Sequence, residues 1–169
     1  MRFLICIVLF SSACFFTSCQ STNDIYIVRH AEKSTAPPDD PYLTTEGKQR
    51  AEALKDLLKD KNIKAIFSTE RIRTVETAKP LSQLMNVPIQ YYGNDTLAAF
   101  LQGVINLKKN TLIVGHSNTL LPMLDALHLP HNINNIPDAV HNNIFIIKTK
   151  AGKAVKVTET TYEAMPGIK

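Results

Sequence analysis

The sequence predicts an α/β fold: a three-layer sandwich with a mostly parallel central sheet, helices on both faces and a C-terminal β-hairpin. Short, fully apolar runs, typical of strands buried on both faces, alternate with stretches of helical periodicity, which is the pattern of βαβ units. The chain then ends in two strand-like runs, 143–148 and 154–158, on either side of a turn at 151–153.

The composition is that of one ordinary globular domain. The 169 residues are 44% hydrophobic and 20% charged, fractions that separate the chain from disordered and fibrous proteins. The formal net charge is +4, and the basic residues are scattered without a long run. Nucleic acid is therefore not an expected partner.

The first eighteen residues have the layout of a secretory signal. A single basic residue, Arg2, precedes an uncharged apolar run, and small residues then lead to Cys19. The run is shorter than the roughly 20 residues that a spanning helix requires. We expect residues 1–18 to be a signal peptide of the lipoprotein type and residues 19–24 to form a short tether.

Phe16-Thr17-Ser18-Cys19 resembles a bacterial lipobox, in which the cysteine becomes the lipidated first residue of the mature protein, although phenylalanine stands where leucine is usual. Ordinary signal cleavage, with Cys19 incidental, is the alternative. Lipidation of Cys19 would tether an exported domain to a membrane, facing the periplasm or the cell exterior.

The first predicted strand, 25–28, leads directly into Arg29, His30 and Glu32, and a proline-rich loop follows at 34–41. In open α/β sheets, ligands bind beyond the carboxyl ends of the strands. These polar side chains therefore stand where a binding or catalytic site is expected.

Helical periodicity begins after Thr44, which is the expected N-cap of the first helix. A second strand at 64–68 is followed by a helix that carries Val75, Ala78, Leu81 and Met85 toward the core. Pro80 is expected to kink or break this helix, because proline removes a backbone hydrogen bond.

A third strand at 87–92 has a proline near its start, which suits the edge of a sheet. Asp95 then stands where it can cap the next helix. The strand at 111–115 repeats the design of the first, since it leads into His116. A helix beginning near Thr119 would direct the backbone donors of its first turn at the same edge.

Because the carboxyl ends of parallel strands meet at one edge, that edge is expected to bring polar side chains together. Two guanidinium groups and two imidazoles in one place suit a phosphoryl group, since arginine offers a planar fork of donors and histidine attacks, donates or accepts near neutral pH. The expected set is Arg29, His30, Ser68, Arg73 and His116.

Four motifs resemble those of the histidine phosphatase superfamily, which includes the phosphoglycerate mutases and the small SixA-like phosphohistidine phosphatases. Residues 29–32 are similar to its RHGE signature, with Ala31 in place of glycine. Residues 43–47 resemble its LTxxG helix start, residues 68–78 its SxxxxRxxETA pattern, and residues 115–117 its second histidine motif. The resemblance implies a histidine phosphatase domain over residues 25–169.

The resemblance also implies roles for individual residues. His30 would be the nucleophile, forming a phosphohistidine, and Arg29, Arg73 and His116 would hold the phosphoryl oxygens. Arg71 does not fit the spacing of the motif and is expected at the rim. No metal and no cofactor are implied. The substrate-binding set would be Arg29, Arg73, Ser68, Glu32 and Ser117.

The general acid is left open. One branch of the family has an aspartate directly after the second histidine, a position that Ser117 occupies here. The other branch uses a glutamate shortly after the third strand, where this chain offers Asp95, which is equally suited to capping a helix. Glu32 is the second candidate.

The remaining histidines carry no predicted catalytic role. His128 and His131 have the HxxH spacing of a zinc site, but no third ligand stands nearby, so surface positions are favoured. His141 lies before the final hairpin without an assigned role.

The sequence therefore predicts a metal-independent phosphatase acting on a small phosphomonoester or a phosphohistidine protein. A phosphoglycerate mutase-like phosphotransferase and a non-catalytic lipoprotein that binds a phosphorylated ligand are the alternatives.

Overall fold

A computed structural model describes residues 22–93 and 96–163. Among these residues, no helix is long and apolar enough to cross a membrane. The six strands are β1 (Thr22–Arg29), β2 (Ala65–Ser68), β3 (Ile89–Tyr91), β4 (Thr111–Gly115), β5 (Asn143–Lys150) and β6 (Lys153–Thr161). The four helices are α1 (Thr45–Leu58), α2 (Ile72–Met85), α3 (Leu97–Asn106) and α4 (Ser117–Ala126).

The strands form one sheet in the order β3-β2-β4-β1-β5-β6. The first four strands in that order are parallel, and β5 and β6 are antiparallel additions that form the C-terminal hairpin. The predicted fold class is confirmed, and β3 lies at the edge of the sheet as its proline-containing start indicated. Crossover helices of the βαβ type carry the chain between the parallel strands.

Side-chain alternation in β1 divides the core into two layers. Ile25 and Ile27 pack on one face of the sheet together with residues of α3 and α4. Tyr26 and Val28 point to the opposite face and pack with residues of α1 and α2. A strand buried in this way on both faces reads as a continuous apolar run, which is why β1, β2 and β4 were recognisable in the sequence.

Helix α1 begins as its capping residue predicts. The Thr44 hydroxyl accepts a hydrogen bond from the backbone N–H of Gly47 at 3.0 Å. The backbone of α1 also packs tightly on the loop after β1, because a Cβ atom at Gly47 would collide with the carbonyl oxygen of Glu32. Glycine at this position lets the helix start lie against the segment that carries His30.

Pro80 does not break α2, which runs continuously from Ile72 to Met85, so the expected break is wrong. A proline costs one backbone hydrogen bond, but the buried face of this helix, which includes Ala78 and Leu81, packs on the sheet on either side of it. Tertiary packing therefore outweighs the local preference.

Two helix starts also differ from expectation. Helix α4 begins at Ser117, two residues earlier than predicted, with His116 as its N-cap. Helix α3 begins at Leu97 with Thr96 as its N-cap. Asp95, the predicted cap, lies outside the described residues.

We expect Gly47→Ala to destabilise the protein by about 1–3 kcal/mol, because the added methyl group meets backbone that cannot move aside cheaply. Gly103→Ala is the matched control: it lies in α3 with open space around its Cβ position, and there alanine should stabilise by about 0.5–1 kcal/mol. Urea unfolding of the two variants measures both effects. Equal free energies of unfolding would contradict the close packing at Gly47.

Candidate active site

The carboxyl ends of β1, β2 and β4 open onto a cavity of about 540 Å³. Its lining is strongly cationic, with a single carboxylate among the described residues that form it. The lining residues are Arg29, His30, Lys33, Arg71, Arg73, His116, Ser117, Asn118 and Asp138. The structure therefore brings together Arg29, His30, Arg73, His116 and Ser117, which the sequence had predicted to share one site.

His30 follows β1 and is held in one orientation by three hydrogen bonds. Its backbone N–H donates to the carbonyl of Gly115 at 2.9 Å, which continues the ladder between β1 and β4. Its ring Nδ1 lies 2.8 Å from the carbonyl oxygen of Ala31. Because a carbonyl only accepts, Nδ1 carries the proton and Nε2 keeps its lone pair.

The third bond comes from His141, whose Nδ1 donates to the carbonyl oxygen of His30 at 2.8 Å. The two rings lie 5.5 Å apart between centroids. Burial, the largest influence, lowers the pKa of His141, so its ring is neutral near pH 7. The peptide of His30 is thus fixed from β4 on one side and from the segment before β5 on the other.

His30 and His116 are close neighbours, with ring centroids 5.4 Å apart in an edge-on arrangement. Burial is the largest cause that lowers the pKa of His30 to about 3, and the positive charges of Arg29 and Arg73 act in the same direction. Burial likewise lowers the pKa of His116 to about 4, again assisted by neighbouring arginines. Both imidazoles are therefore neutral near pH 7, the form in which Nε2 of His30 can attack an electrophile.

Arg29 is almost fully buried and anchors the loop that follows α4. One terminal nitrogen donates to the carbonyls of Pro137 and Val140 at 2.8 and 3.0 Å. The other lies 3.1 Å from a carboxylate oxygen of Asp138, whose side chain is 98% exposed. The second terminal nitrogen keeps a further N–H for a ligand in the cavity.

Arg73 enters the cavity from the first turn of α2. Its guanidinium lies 3.3 Å from Asp40, and the same carboxylate accepts the backbone N–H of Ile72 at the start of the helix. Asp40 therefore fixes both the helix start and the arginine. Arg71 lines the cavity from an exposed position, as expected of a rim residue.

His116 is oriented by its partners at both ends of the residue. Its backbone N–H donates to the hydroxyl of Thr119 at 3.1 Å, and its ring Nε2 lies 2.9 Å from the hydroxyl of Thr69. The Thr69 hydroxyl is in turn 2.9 Å from that of Thr74, which donates to main-chain carbonyls. This chain of hydroxyls fixes the plane of the His116 ring.

Two predicted binding residues do not line the cavity. Ser68 is fully buried and its hydroxyl donates to the carbonyl of Thr69 at 2.9 Å. Glu32 turns away to Arg50, whose Nε donates to both carboxylate oxygens at 2.8 and 2.9 Å. Burial acts to raise the pKa of Glu32, but the hydrogen bonds from Arg50 prevail and lower it, so this carboxyl is ionised near neutral pH and is a poor proton donor.

Asp95 and Cys19 lie outside the described residues, so their predicted roles stay predictions. His131 is held by Asp125 and by the carbonyl of Ile133, and His128 is exposed at the end of α4. Across residues 22–93 and 96–163, no cluster of three or more candidate ligands could hold a metal ion.

Sequence reasoning missed four residues that orient the side chains of the site: Asp40, Asp138, His141 and Thr69. Asp138 and His141 stand in a loop without periodicity and reach Arg29 and His30 across more than 100 residues of chain. Nothing in the local sequence signals such contacts. Thr69 could have been found, because it directly follows the last residue of β2 and so stands at the edge that carries the site.

Comparisons with known proteins agree with this geometry. Residues 25–94 match the model of the histidine phosphatase superfamily, branch 1. No curated protein matches the chain in sequence. The resemblance noted in the motifs is confirmed: the chain has the fold of the histidine phosphatase superfamily, and residues 25–94 carry its sequence pattern.

Among solved structures, the SixA-like branch is well represented. A candidate phosphohistidine phosphatase SixA from Nakamurella multipartitia is 16% identical, with a TM-score of 0.63 over 83% of this chain and 96% of that chain. The protein histidine phosphatase SixA in complex with tungstate is 18% identical, with a TM-score of 0.62 over 83% and 96%. A mycobacterial glucosyl-3-phosphoglycerate phosphatase is 10% identical, with a TM-score of 0.63 over 85% and 100%.

The neutral histidines predict how stability depends on pH. Because folding lowers the pKa of His30 and His116 below the ordinary value of about 6.5, the unfolded chain takes up protons first as the pH falls. The two rings make their full contribution to the free energy of unfolding above about pH 6.5. As the pH falls from there toward the pKa values of the folded state, this free energy decreases by up to about 1.4 kcal/mol per pH unit for each ring.

Urea unfolding between pH 7 and pH 5 measures this slope. We expect His116→Gln to reduce it, whereas His128→Gln, which changes an exposed ring, should leave it unchanged. Identical slopes in the two variants would show that His116 is not held neutral by the fold.

Proposed function

We propose that this protein is a phosphatase that works through a phosphohistidine on His30 and needs no metal ion. The observation that carries the proposal is the fixed tautomer of His30: its Nδ1 proton is bound to Ala31, and its Nε2 lone pair is available in a cavity lined by arginines. A neutral imidazole with a directed lone pair is the nucleophile that phosphoryl transfer requires.

In the first step, Nε2 of His30 attacks phosphorus as the bond to the leaving group breaks. Arg29, Arg73 and His116 line the same cavity, and in this proposal they bind the phosphoryl oxygens and stabilise the charge that these oxygens carry. In the second step, water attacks the phosphohistidine, and inorganic phosphate leaves with His30 restored. Ser117 and Asn118, the first two residues of α4, line the same cavity, and the start of a helix favours an anion.

The connection between β3 and β4 supports hydrolysis over transfer to a second substrate. Among the described residues, α3 is the only helix or strand between β3 and β4, and no residue of α3 lines the cavity, so this connection supplies no cover for it. A mutase must keep water from its phosphoenzyme, whereas a phosphatase must admit it. A cavity without such a cover favours the phosphatase.

The substrate we propose is a small phosphomonoester or a phosphohistidine side chain. Both present the dianionic group that this cationic cavity suits. The chain shares its fold, at 10–18% identity, with solved structures named as phosphohistidine and glucosyl-3-phosphoglycerate phosphatases. This shared fold supports the proposal.

The test is hydrolysis of an aryl phosphate in chelator-treated buffer by the wild type and by His30→Ala. We expect the variant to lose at least about 1,000-fold in kcat, because it lacks the nucleophile. Rapid denaturation during turnover should trap an acid-labile phosphoryl group on the wild type alone.

Equal activity of the wild type and His30→Ala would contradict the assignment of His30 as the nucleophile. Tight phosphate binding without turnover in the wild type would favour the non-catalytic alternative. Transfer of the phosphoryl group to a sugar phosphate in preference to water would favour the mutase-like one.

For the proton donor to the leaving group we propose Asp138, which is the one carboxylate among the described residues that line the cavity. Its exposed side chain can leave Arg29 when phosphoryl oxygens take its place. A bound dianion beside a carboxyl group favours the protonated form of that group. The proton then passes to the leaving oxygen or nitrogen as its bond to phosphorus breaks.

We expect Asp138→Asn to lower kcat for an alkyl phosphate by about 100-fold or more and to change kcat for an aryl phosphate little, because a good leaving group departs without a proton. Steady-state kinetics on the two substrates measure the difference. Asp95→Asn is the matched control, since Asp95 is the candidate from the sequence. Selective loss in Asp95→Asn but not in Asp138→Asn would return the role to Asp95.

We also propose that the protein is an exported lipoprotein anchored through Cys19. The signal layout of residues 1–18 and the lipobox-like segment support this. The described domain begins with β1 at Thr22, three residues after Cys19, so the anchor would act through a very short tether.

A further inference from the structure

Eight exposed lysines gather at the end of the sheet opposite the cavity. The amino ends of β1, β2 and β4 and the turn between β5 and β6 share this end, as the pairing of Thr22 with Lys150 and of Ala65 with Thr111 shows. We call the group the lysine face: Lys59, Lys61, Lys64, Lys108, Lys109, Lys148, Lys150 and Lys153.

Hydrogen bonds tie the segments of the lysine face into one surface. The side chain of Asn110 accepts the backbone N–H of Asp24 at 3.0 Å and donates to the carbonyl of Lys61 at 2.7 Å. The backbone carbonyl of Asn110 accepts the N–H of Lys64 at 2.9 Å. The segments that carry the lysines before β2 and before β4 are therefore held close together, and β1 joins them to Lys148 and Lys150 of β5.

The negative charges at this end of the molecule are fewer than the lysines. Four aspartates lie on or near the same end: Asp24, Asp56, Asp60 and Asp125. Two lysines of the face have carboxylate partners in the described part of the chain, Lys148 with Asp24 at 2.8 Å and Lys59 with Asp56 at 3.9 Å. The lysine face thus carries an excess positive charge comparable with the net charge of the whole chain.

The start of the described chain lies in this face. Thr22 pairs with Lys150, and Cys19 is only three residues earlier in the sequence. Three extended residues span at most about 10 Å. Acyl chains on Cys19 would therefore hold Thr22 within about 10 Å of the bilayer, a distance comparable with the Debye length of about 8 Å at physiological ionic strength.

The cavity lies at the other end of the same strand. Arg29, which lines it, is the last residue of β1, and Thr22 is the first. Eight residues of extended strand separate the two ends by roughly 25 Å. A surface that rests on the bilayer through the lysine face therefore leaves the cavity facing away from it.

We infer that the lysine face docks on the anionic head groups of the membrane that holds the anchor, so that the cavity is directed away from that membrane. This rests on the proposed lipid anchor at Cys19. Positive side chains close to a bilayer are attracted to anionic lipids, and an acyl anchor supplemented by such a patch binds more firmly than either alone. Exposed Leu107, beside Lys108 and Lys109, adds an apolar contact at the same end.

The consequence concerns the substrate. A cavity held roughly a strand length from the bilayer reaches soluble phosphorylated molecules and proteins, but not the phosphorylated head groups of lipids in its own leaflet.

The experiment uses the full chain, produced in bacteria so that the signal segment is processed, and reconstituted into vesicles of phosphatidylcholine with or without phosphatidylglycerol. Because residues 22–163 contain no cysteine, a fluorophore can be attached at one introduced cysteine. Asn106→Cys marks the lysine face and Glu70→Cys marks the cavity end. A quencher attached to lipid head groups reports which label lies near the bilayer.

We expect quenching at position 106 that increases several-fold with phosphatidylglycerol and falls with salt, and little quenching at position 70. The variant with Lys108→Gln and Lys109→Gln should lose much of the increase, and adding Lys61→Gln and Lys150→Gln should abolish it. Lys48→Gln with Lys79→Gln, which removes two exposed lysines elsewhere, should retain it.

Equal quenching at the two positions, or equal quenching with and without phosphatidylglycerol, would overturn the docking. So would the same loss in the Lys48 and Lys79 control. The mass of the processed protein shows whether Cys19 carries acyl chains, and their absence overturns the inference at its first step. Aryl phosphate hydrolysis by the same vesicles is read separately, so a failure of the enzymatic proposal is distinguishable from a failure of docking.

Discussion

The parallel pairing of β1 with β4 is the constraint on which the site depends. Its register sets Arg29 opposite Gly115, and one further backbone hydrogen bond joins His30 to Gly115. His30 follows Arg29, and His116 follows Gly115. The pairing of the two strands therefore makes the two imidazoles neighbours. A slip of one residue would turn every side chain of β1 to the other face and would separate them.

At Gly115 the space around the paired strands leaves no room for a side chain. A Cβ atom there would lie 2.7 Å from the hydroxyl of Tyr92 and 2.9 Å from that of Thr119. Tyr92 donates to the carbonyl of Val114, and Thr119 accepts from the backbone of His116. Because Gly115 has no side chain, the hydroxyls of Tyr92 and Thr119 can approach it closely. Their hydrogen bonds to the backbone of Val114 and His116 stabilise the end of β4.

Much of the fold and the centre of the site follow from local sequence. Strands β1, β2 and β4 are buried on both faces, so their apolar runs are unmistakable, and the polar residues just beyond β1 and β4 mark the edge where a site forms. Ser68 shows the limit of this reasoning. It belongs to the motif, but as the last residue of β2 its side chain turns inward, and Thr69 is the hydroxyl that reaches His116.

The parts that the sequence did not predict come from loops. Asp40 holds Arg73 from the proline-rich loop, and Asp138 and His141 hold Arg29 and His30 from the segment before β5. The loop residues that make these contacts follow no periodic sequence pattern, and each contact joins residues far apart in the chain. Local preference also failed at Pro80, where packing of α2 on the sheet keeps the helix continuous. The strands place the reacting groups, and the loops orient them.

The charges in the cavity determine the protonation of its histidines and the orientation of its arginines. Burial and the charges of Arg29 and Arg73 keep His30 and His116 neutral, so the positive charge of the cavity belongs to the arginines and Nε2 of His30, the proposed nucleophile, keeps its lone pair. The same arginines are oriented by carboxylates, Arg73 by Asp40 and Arg29 by Asp138. The proposed phosphorylated substrate would displace Asp138 first, since its side chain is exposed to solvent. An anion entering the cavity therefore replaces one carboxylate contact instead of meeting unpaired buried cations. Negatively charged side chains, the same kind of charge that the proposed substrate carries, therefore hold the arginines of the site in position.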